Sequence, residues 1–282
     1  MTAIAEALEL AVPELGLDLA ALRWGNASAP ALVALHGWLD NAGSFASLAP
    51  LLAPHRQVVA PDLPGHGLSA HLPPAGRYDL PLYVRVLHGV LDALGIASCD
   101  LLGHSLGGAI ASLYAAAHPE RVRRLLLIEA LGPIADDGSS TLARWRDAMA
   151  DGRASAPRTF PNPEAALAAR CRATGQQPAA IRPIIERGVR EQHGGWTWRS
   201  DARLTAATPM RMAEAQVRAL LAGISAPTLL LMGEPESPFL THALLRSRAA
   251  CVRYIEIDAF AGGHHLHGER PADVATRLLG FL

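Results

Sequence analysis

The feature that most constrains the fold is a series of short apolar runs, each of which ends in glycine or proline. They are rich in Leu, Val and Ile, and amphipathic or alanine-rich stretches separate them. The runs that we interpret as strands are 31–37, 57–65, 98–105, 122–133, 226–235 and 253–263. Because the apolarity within each run is continuous and does not alternate, we expect strands that are covered on both faces, as in a parallel sheet between helices.

Two further stretches complete the expected organisation. Residues 8–25 alternate between apolar and polar more clearly, which predicts an antiparallel hairpin at one edge of the sheet. The stretch from about Pro133 to Gly223 contains no convincing strand and has helical patches at 141–150 and 164–173. We therefore expect a helical insertion that lies over the carboxyl edge of the sheet. The predicted division is a first core segment, 1–133, a helical cap, 134–223, and a second core segment, 224–282.

Composition narrows the class of protein and its partners. The chain has 282 residues, of which 50% are hydrophobic and 18% charged, and its formal net charge is −1. It can therefore bury a large core, and nothing in its charge indicates nucleic acid or a membrane surface as a partner. The three cysteines are far apart and form neither a metal motif nor a disulfide framework, which is typical of reduced thiols. The amino-terminal stretch lacks a basic start, and no run reaches the roughly 18 apolar residues of a membrane span, so we expect a cytoplasmic protein.

The sequence GHSLGG at 103–108 is the strongest candidate for a functional motif. Gly103, Ser105 and Gly107 match the pattern G-x-S-x-G, with a predicted strand before it and an alanine-rich helical pattern after it. A sharp strand-to-helix turn forces the central residue into strained backbone geometry, and a side chain two positions away on either side would collide with neighbouring backbone. The turn would lift the Ser105 hydroxyl clear of the sheet, above the amide groups of a helix N-terminus.

A serine hydroxyl is a poor nucleophile at neutral pH, so it needs a base and an acid that orients the base. His264, the first histidine after the glycines of AGGHHLHGERP at 261–271, is the candidate base. His265 and His267 are expected to be structural or exposed. We predict no metal at this cluster, because adjacent histidines rarely bind one ion and no carboxylate or cysteine lies at ligand spacing.

Acyl transfer also needs hydrogen-bond donors for the oxyanion that forms on the carbonyl. The strand at 31–37 ends in His36-Gly37, so the backbone N–H of Trp38 can point into the site. The second expected donor is the backbone N–H of Leu106, directly after the serine.

With these motifs in this order, the chain resembles the α/β-hydrolase superfamily. The resemblance rests on HGW at 36–38, PDLPGHGLS at 61–69, GHSLGG at 103–108 and GGHHLHGERP at 262–271. The segments 34–45, 125–133 and 196–204 resemble the serine hydrolase-like subgroup more narrowly. The resemblance implies a mostly parallel eight-stranded sheet with helices on both faces and a helical cap between strands six and seven. It also implies that Ser105 is the nucleophile, His264 the base, Trp38 and Leu106 the oxyanion donors, and Asp62, Gly65 and Gly67 residues that shape a loop.

Two residues are candidates for the acid. In most of the superfamily it is an aspartate a few residues after strand seven, in a G-x-x-D pattern. Here that position is held by Glu236, in Gly233-Glu234-Pro235-Glu236. Some relatives, notably a group of haloalkane dehalogenases, carry the acid at the end of strand six, where this chain has Glu129. We favour Glu129, because a lone charge at the end of an apolar strand is costly to bury without a partner such as histidine.

The predicted function is a serine hydrolase that cleaves a carboxylic ester or thioester of a small-molecule acyl substrate through an acyl-serine intermediate. It uses a Ser-His-Glu triad and no cofactor. A cofactor-free haloperoxidase or perhydrolase, a carbon–carbon bond hydrolase and a non-catalytic ligand-binding member of the fold remain alternatives. A serine nucleophile disfavours dehalogenase and epoxide hydrolase chemistry, which needs a carboxylate. Trp145, Trp196 and Trp198 either line an acyl pocket or pack the cap onto the core. The sequence predicts no oligomeric state.

Overall fold

The computed structural model of the chain describes residues 4–150, 158–192, 194–237 and 240–282. Its strands are β1 (Glu6–Val12), β2 (Leu17–Trp24), β3 (Ala31–Leu35), β4 (Gln57–Pro61), β5 (Cys99–His104), β6 (Val122–Ile128), β7 (Thr159–Phe160), β8 (Val189–Gln192), β9 (Gly195–Trp198), β10 (Thr228–Glu234) and β11 (Ile255–Ala261). Its α-helices are α1 (Ala49–Leu52), α2 (Leu80–Ala93), α3 (Leu106–Ala117), α4 (Thr141–Met149), α5 (Pro163–Thr174), α6 (Pro178–Gly188), α7 (Glu214–Leu221), α8 (His242–Ala249), α9 (Leu266–Glu269) and α10 (Pro271–Phe281).

The main sheet has eight strands in the order β1-β2-β4-β3-β5-β6-β10-β11. The pairs from β4 to β11 are parallel, and β1 and β2 form the predicted antiparallel edge hairpin. The expectation of a mostly parallel eight-stranded sheet is therefore confirmed. Every residue of β5 is buried, which explains why its apolar run does not alternate.

Helices cover both faces of this sheet, as predicted. Helices α2, α3, α7 and α8 contribute buried residues to the core on one face, and α1 and α10 contribute to the core on the other. Successive residues of the central strands alternate between the two cores, so that Leu101 and Leu125 face the first and Leu102 and Leu126 the second. The central strands are thus held between two apolar layers, which makes their carboxyl ends a rigid support for side chains.

The segment between β6 and β10 contains the predicted helices at α4 and α5, but it also contains a small sheet. Strands β7, β9 and β8 form this three-stranded antiparallel sheet, so the expectation of a segment without strands was wrong. Strands of two to four residues are too short to show an alternating pattern. Gly194, with a φ of 76°, lies in the turn between β8 and β9. Whether this inserted segment acts as a substrate cap stays a prediction.

One small apolar cluster holds α5, α6 and the small sheet of the inserted segment together. Phe160 of β7 and Trp198 of β9 contact edge to face with ring centroids 5.3 Å apart, and Trp196 packs against the same cluster. Of the two roles that the sequence left open for Trp196 and Trp198, packing is therefore the one that the observed contacts show. Trp145 on α4 differs, because 42% of its surface is exposed.

All three cysteines are free thiols. In the described part of the chain, none of the helices combines the length and apolarity needed to cross a membrane.

Candidate active site

Ser105 occupies a sharp turn between β5 and α3. Its φ of 52° and ψ of −115° lie in a region that non-glycine residues rarely adopt, so the turn is strained. A Cβ on Gly103 would lie 2.4 Å from the carbonyl oxygen of Gly107, and a Cβ on Gly107 would lie 2.0 Å from that of Leu35. Both flanking positions therefore require glycine, for the steric reason that the sequence indicated.

Strand pairing places Glu129 beside Ser105. His104 of β5 pairs with Ile128 of β6, and the backbone N–H of Ser105 donates to the carbonyl oxygen of Ile128 at 3.0 Å. Glu129 follows Ile128 directly, so the nucleophile candidate and this carboxylate come from the ends of neighbouring parallel strands. Active-site residues in open α/β sheets are typically found at these carboxyl ends.

The Glu129 side chain is buried and accepts two hydrogen bonds. Its Oε1 accepts from the backbone N–H of Gly233 at 2.6 Å, and its Oε2 lies 3.3 Å from Nδ1 of His264. A carboxylate only accepts, so Nδ1 carries the proton and Nε2 of His264 is left as the basic nitrogen. Glu129 also has a positive φ, 57°, and its N–H donates to the carbonyl of Leu231 on β10. Neighbouring strands therefore hold this strained residue in place.

His264 lies in the loop between β11 and α9, with 18% of its side chain exposed. The loop is fixed at its start, because Gly262 donates its N–H to the carbonyl of Glu234 and Gly263 donates to Oε2 of Glu269. These two hydrogen bonds hold the loop that carries the candidate base at the same edge of the sheet as Ser105 and Glu129.

Glu236, the alternative acid, has a different contact. It is exposed, and its Oε2 accepts the backbone N–H of His242 at 2.7 Å. His242 is the first residue of α8, and a carboxylate at a helix N-terminus is favourable both as a hydrogen-bond acceptor and as a negative charge. The geometry therefore gives Glu236 a helix-capping contact and gives Glu129 the contact with His264.

The predicted oxyanion donors lie at the ends of β3 and β5. Leu106 is the first residue of α3, and the first hydrogen bond of that helix runs from Ala109 to Ser105, so the Leu106 N–H has no acceptor within the helix. Trp38 follows β3, and its indole N–H donates to the carbonyl of Leu204 in the inserted segment at 3.1 Å. The next residue, Leu39, has a φ of 60°, which marks a tight turn. That the two backbone amides bind an oxyanion stays a prediction.

Asp62 organises the loop that follows β4. Its buried carboxylate accepts the N–H groups of Ala42 and Leu68 at 2.7 and 2.8 Å, and Arg187 of α6 donates to both of its oxygens at 3.0 Å. A Cβ on Gly67, whose φ is 52°, would lie 2.3 Å from Asp62 Oδ2. These contacts match the loop-shaping role that the resemblance implied.

The sequence did not predict a buried polar network next to His264, formed by Asp40, His104, Arg170 and His265. Asp40 Oδ1 accepts from Nη2 of Arg170 on α5, and Asp40 Oδ2 accepts from Nε2 of His265, both at 2.8 Å. Burial alone would raise the pKa of Asp40, but His265 and Arg170 outweigh it and hold this pKa well below its usual value. The third neighbour of Asp40 is His104, whose Nδ1 lies 3.7 Å from Asp40 Oδ2 and whose Nε2 lies 2.8 Å from the carbonyl oxygen of His264.

Asp40, His104 and His265 are also residue types that bind metals, and their ligand atoms lie within 4.8 Å of one another. However, Asp40 Oδ2 and His265 Nε2 are only 2.8 Å apart, whereas two ligands of a tetrahedral zinc ion are separated by about 3.3 Å. The guanidinium of Arg170 also holds the other oxygen of Asp40 and would repel a cation. The contacts are those of a hydrogen-bonded network, and we assign no metal to it.

Comparison with known proteins identifies the family and the fold. The sequence pattern of the alpha/beta hydrolase fold family matches residues 30–271. The chain belongs to the α/β-hydrolase family. Within it, the chain falls in the serine hydrolase-like subgroup. It is 30% identical over 276 residues to a probable serine hydrolase of Drosophila melanogaster, over 92% of this chain and 82% of that protein. It is 29% identical over 277 residues to a serine hydrolase-like protein of Danio rerio, over 92% of this chain and 83% of that protein.

Solved structures with the same fold are similar to this α/β-hydrolase over almost its whole length. A hypothetical protein of Pseudomonas aeruginosa PAO1 is similar with a TM-score of 0.89 and 32% identity, over 98% of this chain and 99% of that chain. A thioesterase domain from the curacin biosynthetic pathway is similar with a TM-score of 0.83 and 25% identity, over 99% of this chain and 100% of that chain. The fold and family predicted from the sequence are therefore confirmed.

Proposed function

We propose that this α/β-hydrolase is a serine esterase or thioesterase that works through an acyl-serine intermediate. The observation that carries the proposal is the pairing of His264 Nδ1 with the buried Glu129 carboxylate at 3.3 Å, at the end of the strand next to Ser105. This distance is slightly longer than the usual range of about 2.7–3.2 Å, and hydrogen bonds of catalytic groups commonly shorten when substrate binds. Family membership and the similarity to a thioesterase domain support the same chemistry.

The proposed reaction has two steps. In the first, Nε2 of His264 removes the proton of the Ser105 hydroxyl, whose oxygen attacks the substrate carbonyl carbon. The tetrahedral intermediate collapses to acyl-Ser105, and the leaving alcohol or thiol takes the proton from His264. In the second step, His264 removes a proton from water and the resulting hydroxide attacks the acyl-serine. The second tetrahedral intermediate breaks its bond to the Ser105 oxygen, His264 returns the proton to that oxygen, and the carboxylic acid leaves.

The proposed roles of the remaining residues follow from their positions. Glu129 keeps the proton of His264 on Nδ1 and stabilises the imidazolium that forms in each step. The amides of Trp38 and Leu106 donate to the oxyanion of each tetrahedral intermediate. The inserted segment acts as the cap that selects a small-molecule acyl group. The half-exposed ring of Trp38, tied to this segment through Leu204, is the side chain that we place next to the acyl group.

The test is hydrolysis of p-nitrophenyl esters of graded chain length and of matched acyl thioesters, with the free acid identified by mass spectrometry. We expect saturable hydrolysis by the wild type and a loss of about 10⁴-fold or more in kcat for Ser105→Ala. Ser28→Ala, which changes an exposed serine in the loop between β2 and β3, is the control and should match the wild type. Activity that survives in Ser105→Ala, or a folded wild type that hydrolyses none of these substrates, would overturn the proposal.

A further inference from the structure

His104, the residue directly before the candidate nucleophile, makes a specific contact with the candidate base. Its side chain is completely buried, and its Nε2 lies 2.8 Å from the backbone carbonyl oxygen of His264. This hydrogen bond joins the end of β5 to the loop before α9, between residues that are 160 positions apart in the sequence. It therefore links the backbone around Ser105 with the backbone that carries the imidazole of His264.

The contact determines the tautomer of His104. A carbonyl oxygen can only accept, so Nε2 of His104 carries the hydrogen. Burial, followed by the neighbouring His267 and His265, lowers the pKa of His104 well below its usual value, so its ring stays neutral at neutral pH. Its Nδ1 then carries no hydrogen, and it has no hydrogen-bond partner within the described ranges. The ring thus has one hydrogen-bonding function, which is the donation to His264.

Packing leaves the ring of His104 little freedom to move. The rings of His265 and His267 lie 4.6 and 4.4 Å from it, measured between centroids. On another side, a Cβ on Gly37 would lie 2.9 Å from Nδ1 of His104, so only glycine leaves room there. His265 is itself fixed by its hydrogen bond to Asp40. A donor held in this way can impose a position on the peptide that it contacts.

The contact with His104 acts on the peptide of His264 itself. The hydrogen bonds of Gly262 and Gly263 fix the loop just before this residue, and the bond from His104 continues that support to the carbonyl of His264. To take the proton of Ser105, the imidazole of His264 must lie within hydrogen-bond reach of that hydroxyl, about 2.6–3.2 Å, while it keeps its contact with Glu129. A displacement of about 1 Å in a catalytic group can reduce the rate by about 100-fold.

We propose that His104 is a positioning residue, which holds the main chain of His264 through its Nε2–H so that the imidazole lies between Ser105 and Glu129. This inference rests on the proposed serine-hydrolase function. It assigns a role to the variable residue of the G-x-S-x-G pattern and does not place His104 in contact with substrate.

The test compares His104→Gln with His104→Met. Glutamine carries an amide N–H the same number of bonds from Cβ as the Nε2–H of histidine, whereas methionine has nearly the same length and no donor. The measurements are kcat and KM for a p-nitrophenyl ester, with each rate divided by the concentration of active sites titrated with a fluorophosphonate. Thermal unfolding is measured for both variants.

We expect His104→Met to lose about 10- to 100-fold in kcat per titrated site with KM within about twofold of the wild type. His104→Gln should restore kcat to within about threefold of the wild type. A purely structural role would lower the thermal stability and the fraction of active sites, but not kcat per site. If His104→Met does not fold, His104→Asn replaces it, because its amide is one methylene too short to reach the His264 carbonyl.

Each outcome decides a different question. Equal kcat values per site in the donor and non-donor variants, with an active wild type, would refute the positioning role and leave the serine hydrolase standing. A folded wild type that reacts with neither ester nor fluorophosphonate would refute the proposed function, and the positioning role would fall with it.

Discussion

Replacing Glu129 by Gln tests the assignment of the acid most sharply. In the structure, both contacts of the Glu129 carboxylate come from donors: the Gly233 N–H at 2.6 Å and the His264 Nδ1 at 3.3 Å. A carboxylate accepts from both, but a glutamine amide has only one oxygen. If that oxygen stays with Gly233, the NH₂ group faces His264 and favours the tautomer with the hydrogen on Nε2, which cannot accept the proton of Ser105.

The size of the effect can be worked from the same geometry. Opposite unit charges 3.3 Å apart attract by about 5 kcal/mol at an effective dielectric constant of about 20. This is the stabilisation that the imidazolium of His264 loses when Glu129 becomes neutral. Since about 1.4 kcal/mol corresponds to a tenfold change in rate, we expect kcat to fall by about 10³- to 10⁴-fold.

The assay is steady-state hydrolysis of a p-nitrophenyl ester by Glu129→Gln, with Glu236→Gln as the matched control. Glu236 caps α8 through the N–H of His242, so its variant should keep kcat within about twofold and lose less than about 1 kcal/mol of stability. Thermal unfolding of both variants establishes that the assays compare folded proteins. A large loss of kcat in Glu236→Gln without one in Glu129→Gln would refute Glu129 as the acid.

Two further predictions concern stability. Gly107→Ala should lower the free energy of unfolding by about 3 kcal/mol or more, because its Cβ would lie 2.0 Å from the Leu35 carbonyl oxygen. Gly280→Ala in α10 has open space around the new Cβ and should raise the free energy of unfolding by about 0.5 kcal/mol. Chemical denaturation measures both variants, and equal effects would contradict the steric argument. Burial, and secondly the neighbouring His36, lowers the pKa of His66 from 6.5 to about 3. Between pH 7 and pH 5, His66 therefore becomes protonated in the unfolded chain and stays neutral in the folded chain, so the folded state loses stability as the pH falls. The wild type should therefore lose about 2 kcal/mol more of its free energy of unfolding over that interval than His66→Asn. Asparagine is chosen because it keeps a hydrogen-bond donor near the position of Nδ1. Chemical denaturation at pH 7 and pH 5 measures both proteins, and the same pH dependence in both would contradict a neutral, buried His66.

Much of the architecture could be predicted from the sequence because its signals are local. A buried parallel strand needs a continuous apolar run, and the turn at Ser105 needs glycine at both flanking positions, so both features leave a short pattern. Glu129 was recognised as the favoured acid because a charged residue at the end of a wholly apolar strand requires a partner. Each of these inferences depends on residues that are neighbours in the chain.

The features that escaped prediction depend on contacts between distant residues. The network of Asp40, His104, Arg170 and His265 joins the loop after β3, the end of β5, the inserted segment and the histidine loop. No local spacing indicates which buried polar groups meet in space, so His265 could be judged structural without its partners being known. The small sheet of the inserted segment was missed for a different reason, since strands of two to four residues are too short to show a period.

The role of Ser105 as the nucleophile is tested by treating the folded protein with a fluorophosphonate and locating the label by intact-protein mass and peptide mapping. We expect one phosphonyl group per chain, on the hydroxyl of Ser105, with labelling slowed strongly in His264→Ala and abolished in Ser105→Ala. Folded protein that stays unlabelled, or a label on any other residue, would contradict that role.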